Sequence, residues 1–327
     1  MEVIELNLSK LIEPRENLTL CLGFFDALHL GHLELIKCAK KLNGKVGVMT
    51  FSKNPKELIN KCKCPIINNL EMKKEILESY NVDYLFILDL SWDILNLDPN
   101  QFINQILVPL KTKTIVCGFD YTFGRKGLGK ASDLVNCKLF DVHIVSEVVN
   151  SKQEKISSTL IHKLIEEGNI EEVNYYLTRP YQIRGFVKEG FHVGRTINYQ
   201  TANIDNDLNF ALPKNGVYAT RIIIDGKVYN SMTNVGIHPT INLLSKPHIE
   251  TYIFDFKGNI YNKSVKLLFY KKTRDETKFA SLSDLKTQLV HDEKEIRNYF
   301  INLDWKKNKW YIIKATCPWI NESPTLN

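Results

Sequence analysis

The 327-residue chain contains no run of about 18 apolar residues, so no membrane-spanning helix and no membrane partner are expected. Its first residues, Met1-Glu2-Val3-Ile4-Glu5, show no basic stretch followed by an apolar one, so an export leader is not expected and a cytoplasmic location is. A disulfide framework is missing as well. The seven cysteines, Cys21, Cys38, Cys62, Cys64, Cys117, Cys137 and Cys317, are scattered, and the one close pair, Cys62-x-Cys64, lacks both C-x-x-C spacing and a matching histidine cluster. Reduced thiols without zinc are the reading that fits. There is no internal repeat and no low-complexity segment. The net charge of +6 is small for this length. It suits phosphate-bearing ligands and otherwise reads as ordinary solvated lysines, so no nucleic-acid partner is expected. Oligomeric state is not legible.

What is present is globular, 44% hydrophobic and 24% charged, and long enough for two domains with their own cores. The first half alternates apolar runs (Leu18–Leu22, Val46–Thr50, Tyr84–Leu88, Thr114–Cys117) with helix-like stretches (Leu33–Leu42, Glu71–Tyr80, Gln101–Leu110). Continuous apolar strands between helices predict a parallel sheet covered on both faces, with ligands at the strands' carboxyl ends. After the helical pair Thr159–Glu167 and Ile170–Tyr176 and the Arg179-Pro180 step, the pattern changes to short runs: Tyr181–Lys188, Val217–Ile224, Val228–Val235, Glu250–Phe256 and Ser264–Tyr270. Asp225-Gly226 between two of them is a hairpin signal, and the whole predicts a small antiparallel barrel. A helix follows over about Ser283–Phe300, where Ser283-x-x-Lys286 has a typical start residue but no capping-box acid. The expected domains are 1–180 and 181–327, the latter with an extra tail from about 304.

Two constellations, one in each half, carry chemistry. Gly23-Phe24-Phe25-Asp26-Ala27-Leu28-His29-Leu30-Gly31-His32 is an H-x-G-H loop between a strand and a helix. Gly31 permits close backbone approach, the helix start offers N–H groups to phosphate, and two imidazoles at i and i+3 can donate to an α-phosphate. Ile156-Ser157-Ser158-Thr159 opens another helix and supplies hydroxyls and amides for a second clamp. In the second half, Gly185, Gly190 and Gly194-Arg195 punctuate a loop able to wrap a triphosphate, and Thr201-Ala202-Asn203 adds two hard oxygen donors suited to Mg²⁺. Read without any relative, single histidines, serines or glycines of this kind are more often caps and turns.

H-x-G-H followed by a distal I-S-S-T in a βα pattern is similar to the nucleotidyltransferase superfamily. Over roughly residues 18–300 the chain resembles the bacterial bifunctional riboflavin kinase/FMN adenylyltransferase (FAD synthetase) family. That family's G-N-F-D-G-V-H-x-G-H lies at 23–32, its T-F-x-P-H-P at Thr50–Pro55, its V-G-x-D-F-x-F-G at Cys117–Gly124, and its G-R-x-x-G-F-P-T-A-N at Gly194–Asn203. The resemblance implies a Rossmann-like adenylyltransferase domain followed by a riboflavin kinase barrel with a C-terminal helix. It implies ATP contacts at Gly23, Phe25, His29, Gly31, His32, Ser157, Ser158 and Thr159, and at Gly185, Gly190, Gly194 and Arg195. Flavin contacts follow at Phe51, Asn54, Asp120, Phe123, Arg274 and Glu276, magnesium ligands at Thr201 and Asn203, and a catalytic base at Glu250, with riboflavin, FMN and ATP as substrates. Gly216–Ala219 and Asn234–Thr240 also match family blocks.

The departures are specific. His162 stands where the family's I-S-S-T-x-x-R has an arginine, giving one imidazole for a permanently charged fork. Phe24 replaces an asparagine, Asn54 a histidine, and Asn198 and Gln200 a glycine and a proline. Lys163, Arg125 and Lys126 are the candidates for the missing charge. His162 and Phe24 motivate an alternative, a riboflavin kinase whose adenylyltransferase half has decayed. Trp305-Lys306-Lys307-Asn308-Lys309-Trp310 motivates another, a flavin-responsive regulatory or RNA-binding protein, although Tyr311–Lys314 beyond it reads as an extra strand.

Overall fold

The computed structural model describes residues 1–8, 17–188, 199, 201–236 and 248–316, with side chains described as far as 304. The chain divides into two compact units. One comprises Met1–Leu164, Tyr175–Arg179 and Asn209–Ala211; the other comprises Ile165–Asn174, Pro180–Leu208 and Leu212–Asn327.

The first unit is a six-stranded parallel sheet. Its strands are β1 (Glu2–Leu6), β2 (Leu18–Leu22), β3 (Lys45–Phe51), β4 (Tyr84–Leu88), β5 (Thr112–Gly118) and β8 (Asp141–Val145), in the order β1-β4-β3-β2-β5-β8. A two-residue hairpin, β6 (Thr122–Phe123) with β7 (Gly129–Lys130), follows β5. Every residue of β2 is buried because the strand lies inside the sheet with both faces covered. Leu18, Leu20 and Leu22 enter one core with Phe86, Phe102 and Ile106. Cys21, which points the other way, enters a second core with Leu33, Ile36 and Leu77. Helices α1 (Leu30–Lys40) and α3 (Leu70–Ser79) supply the second core; α5 (Pro99–Phe102) and the π-turn Ile103–Leu107 supply the first. Short helices α2 (Pro55–Asn60), α4 (Trp92–Asn96) and α6 (Ala131–Asn136) complete this part of the chain, followed by α7 (Ser158–Glu167) and α8 (Ile170–Leu177).

The second unit holds a closed antiparallel barrel: β9 (Tyr181–Lys188), β10 (Thr201–Ile204), β11 (Gly216–Ile224), β12 (Lys227–Gly236), β13 (His248–Ile253) and β14 (Ser264–Arg274), arranged β10-β13-β12-β11-β14-β9 and closed by pairing of β9 with β10. Closure removes the sheet edges. Gly185 is required by packing here, since a Cβ on it would lie 2.3 Å from the Asp205 carbonyl oxygen. Among the buried barrel residues is a chain of hydroxyls: Thr220 Oγ1 meets Ser231 Oγ at 2.8 Å and Thr233 Oγ1 at 2.7 Å, and Thr233 Oγ1 meets Thr251 Oγ1 at 2.9 Å. Each satisfies its neighbour where water is absent. The opposite face of β11, β12 and β14 packs Val217, Ala219, Met232 and Tyr270 against Ile296 and Phe300 of helix α9 (Leu282–Thr316).

Two sequence expectations are corrected by α9. The run Tyr311–Lys314 lies in the helix rather than in a strand, because no glycine or proline interrupts the chain between Leu282 and Thr316. The cap is Ser281, not Ser283: its Oγ accepts from Asp284 N at 3.1 Å and donates to Asp284 Oδ2 at 2.8 Å. The acid absent when counting from Ser283 is present when counting from Ser281.

Candidate functional sites

At the carboxyl end of β2 the chain makes a turn that leads into α1. Phe25 and Leu28 both adopt left-handed backbone (φ +53° and +48°), which costs a side-chain-bearing residue on the order of 1 kcal/mol or more and is held by surrounding bonds. Arg179 donates to the carbonyls of Ala27 at 2.6 Å and Leu28 at 3.0 Å, and Asn68 Nδ2 donates to the Asp26 carbonyl at 2.6 Å. The buried Lys73 ammonium donates to the Phe24 carbonyl at 2.9 Å and to Thr50 Oγ1 at 3.3 Å, with its Nζ 4.1 Å from the Phe24 ring centroid. Burial holds Lys73 down to about 8.

His29 is the N-cap of α1, and its Nδ1 accepts from Gly31 N at 3.1 Å. That bond places the proton of the neutral ring on Nε2, leaving it as a donor. A Cβ at Gly31 would lie 3.1 Å from the His29 ring, so a larger residue would crowd the cap. His32 stacks on His29 with centroids 3.9 Å apart, and its Nδ1 is buried with no hydrogen-bond partner among the described residues. Burial, then the nearby Lys155 and Arg179 cations, hold His29 down to about 4; burial and His29 itself hold His32 well below the ordinary histidine value. Both rings are therefore neutral at pH 7, with cations around them that favour an arriving anion.

Ser157 caps α7, its Oγ accepting from Leu160 N at 3.2 Å, so Ser158 and Thr159 open the helix. His162, one turn further, meets Asp26 with Nε2 3.1 Å from Oδ2. Lys163 has partners of its own, and Arg125 and Lys126 occupy the exposed 3₁₀ turn after β6. Asp120 is exposed and paired with Lys155, whose ammonium also lies 4.7 Å from the Phe119 ring centroid. Phe51 ends β3 and is half-buried against the first core. Asn54 caps α2, its side chain accepting from Lys56 N at 3.0 Å. Phe123 is a buried side chain: the β6–β7 hairpin folds it inward, 5.5 Å from the Phe102 ring. Gly23 sits beneath the Phe25 ring.

A second constellation lies on the outer face of the barrel. Asn203 and Asn234 are each opposite Glu250, and Thr201 and Met232 are each opposite Tyr252, so strand pairing sets these side chains on one face. A cavity of about 250 Å³ is lined by Thr201, Asn234, Glu250 and Tyr252, by Arg274 at the end of β14 and Glu276 after it, and by Leu285 and Leu289 of α9. Asn203 is not among its lining residues. Arg274 donates through Nε and Nη2 to Asp292, a carboxylate that is 1% exposed. Glu276 Oε1 accepts a long bond from Asn234 Nδ2, 3.4 Å. Thr201 and Asn203 present a hydroxyl and an amide from one strand face, a donor set that fits a hard divalent cation. Gly190, Gly194, Arg195, Asn198, Gln200 and the 237–240 segment lie outside the described residues, as do the side chains of Trp305–Trp310.

Sequence reasoning missed Lys73, Arg179, Lys155 and Asp292. Their signal was absent because nothing in a sequence shows which lysine, arginine or aspartate becomes buried. Among the described residues, no cluster of histidine, cysteine and carboxylate groups has the form of a metal site, and no helix is long and apolar enough to cross a membrane.

Residues 11–160 match the family model for FAD synthetase and residues 177–300 that for riboflavin kinase. The chain is similar to the bifunctional riboflavin kinase/FMN adenylyltransferase of Listeria monocytogenes serovar 1/2a, with 36% identity over 296 residues, covering 88% of this chain and 94% of that protein. The Bacillus subtilis (strain 168) protein of the same description is 33% identical over 306 residues, covering 89% and 95%. Among solved structures, a Streptococcus pneumoniae protein described as a macrolide-efflux protein aligns with a TM-score of 0.82 and 34% identity, covering 91% of this chain and 99% of that one.

Proposed function

The chain belongs to the bifunctional riboflavin kinase/FMN adenylyltransferase family, and from that premise we propose how its residues divide the two reactions. Riboflavin kinase activity resides in the 177–300 match and FMN adenylyltransferase activity in the 11–160 match, so riboflavin, FMN and ATP are the substrates. Residues 1–180 and 181–327 are the working domains in this reading, and the protein is cytoplasmic.

In the kinase step the ribityl 5′-oxygen attacks the γ-phosphorus of ATP, the bond to the β,γ-bridging oxygen breaks, and ADP leaves. Glu250 accepts the hydroxyl proton. Arg274, Glu276 and Tyr252 line the cavity that seats the flavin, and Leu285 and Leu289 help exclude water from it. A magnesium ion would be held by Thr201 and Asn203, where it would offset phosphate charge. The observation that carries the reading is Glu250 placed opposite Asn203 and two residues from the Thr201–Tyr252 pair, on a face that opens into a cavity.

In the adenylylation step an FMN phosphate oxygen attacks the α-phosphorus of ATP and pyrophosphate leaves. Neutral His29 donates through Nε2 to the phosphate oxygens, His32 supports it by stacking, and the Ser157–Thr159 helix start holds the remaining phosphates. Phe51, Asn54 and Asp120 border the flavin and nucleotide.

Incubation of the protein with riboflavin, Mg²⁺ and excess ATP, followed by chromatographic separation of the flavins, tests both halves. FAD is the expected product. FMN accumulating alone, with added FMN left unconverted, would leave only the kinase half of the proposal standing.

A further inference from the structure

We propose that His162 and Asp26 form a positioning pair that sets the spacing between the two phosphate-binding helix starts of the first unit. The inference rests on the reading of His29, His32 and Ser157–Thr159 given above. His162 lies one turn inside α7, and its Nε2 is 3.1 Å from Asp26 Oδ2. The Asp26 side chain is 7% exposed and that of His162 26%, so the bond forms largely away from water and is worth more than a surface contact. A carboxylate oxygen accepts, so the imidazole donates through Nε2, which fixes its tautomer and ring orientation.

Asp26 belongs to the turn that ends in the His29 cap. Its other oxygen accepts from Ile67 N at 3.4 Å, and its carbonyl accepts from Asn68 Nδ2 at 2.6 Å. One side of the turn is thereby fixed to the 67–68 segment. The His162 bond fixes the same residue to α7, whose first residues are Ser158 and Thr159. A single buried carboxylate thus receives bonds from two separate parts of the chain and passes the position of α7 to the turn that carries His29. Both helix starts must meet one triphosphate, and displacement of about 1 Å at such a clamp is enough to lower the rate a hundredfold. His162 need not touch a phosphate to matter: an arginine there would reach the ligand, whereas this imidazole secures the frame.

The test uses the full-length chain and the variants H162A, H162Q, D26N and H162A/D26N. Adenylylation of supplied FMN is followed against ATP concentration, with riboflavin phosphorylation measured on the same samples as a control for folding. A tenfold or greater fall in kcat for H162A with a smaller change in KM for ATP, a similar fall for D26N, and a double variant no worse than the worse single is the expected result. H162Q, whose amide can donate to Asp26, should recover most of the rate. Losses that multiply in the double variant, or full adenylylation by H162A, would overturn the pair. Hydrogen exchange supplies a readout independent of turnover. The amides of 26–32 and 157–162 should exchange faster together in H162A, and unchanged exchange in either segment would overturn the proposal even if the wild-type chain made no FAD. Absence of FAD from the wild type would instead count against the reading of the first unit as a working adenylyltransferase.

Discussion

Glu250 lies directly between two asparagines: Asn203 is its partner across the β10–β13 pair and Asn234 its partner across β12–β13. Neither cross-strand neighbour carries a charge that would neutralise the carboxylate, the requirement for a group that takes a proton from an alcohol. Glu250→Gln should lower riboflavin phosphorylation by at least a hundredfold while supplied FMN is still converted to FAD. A kinase rate within threefold of wild type would remove Glu250 from the role of base.

Beside the barrel-face cavity Arg274 forms an enclosed ion pair with Asp292, Nη2 lying 2.8 Å from Oδ2. Gln288 Nε2 also donates to Asp292 at 2.7 Å. Asp292→Ala should destabilise the chain by about 3–5 kcal/mol, because the guanidinium loses its counter-charge in a partly buried place. Urea unfolding monitored by tryptophan fluorescence measures this; a cost below about 1 kcal/mol would show Arg274 re-solvating instead.

The hydroxyl chain of the barrel makes a separate prediction. Thr233 Oγ1 contacts both Thr220 and Thr251, so Thr233→Val strands the Thr251 hydroxyl and leaves Thr220 with Ser231. A loss of about 1–3 kcal/mol is expected despite the near-equal volume, whereas replacing an unpaired threonine would cost almost nothing. Denaturant midpoints of the variant and wild type decide between these outcomes.

Acid should weaken the first unit before carboxylates are titrated. His29 is held down to about 4 while a histidine in the unfolded chain titrates near 6.5. Between those values the unfolded chain binds a proton that the folded chain refuses, so stability falls as pH is lowered from 6.5 and this contribution levels off below 4. For His29 the effect is on the order of 3 kcal/mol at most, and His32 acts in the same direction. Unfolding midpoints measured from pH 7.5 to 4.5 should decline less steeply in His29→Asn; identical slopes would contradict the assignment.

Thiol reactivity offers a simple check on the sheet. Cys62 is exposed, whereas Cys21 and Cys117 are buried, and burial pushes Cys117 up to about 11 and Cys21 higher still. A chromogenic disulfide at pH 8 should label Cys62 within minutes and leave Cys21 and Cys117 unmodified until denaturant is added. Prompt labelling of Cys21 would mean that β2 opens readily.

How much of this could be read beforehand varied with the kind of force involved. Leu18–Leu22 and Tyr84–Leu88 were legible to the residue because buried parallel strands need continuous apolar runs. Glu2–Leu6 and Asp141–Val145 were missed because they are the outermost strands of the sheet and carry polar residues that an inner strand excludes. Thr201–Ile204 was noticed for its oxygen donors rather than as a strand, and it proved to be the short piece that closes the barrel. His29, His32 and Glu250 stood out through motif resemblance. Lys73, Arg179 and Asp292 did not, since their environment is created only by tertiary packing. His162 was visible as a departure, but its bond to Asp26 spans 136 residues of chain and no local pattern announces it.

The histidine that opens α1 has two employers. Through Nδ1 it terminates the helix backbone, and its Nε2–H is the donor proposed for phosphate. Asparagine, serine or aspartate would serve the helix as well, yet none of them presents an imidazole N–H. Other donors would serve a phosphate, but most would leave the Gly31 amide unmatched. The position is therefore pleiotropic: a change made for folding is paid in chemistry, and a change made for chemistry alters where the helix begins. Selection acting on either trait would confine the other, so the start of the helix and the imidazole N–H it presents cannot be varied separately.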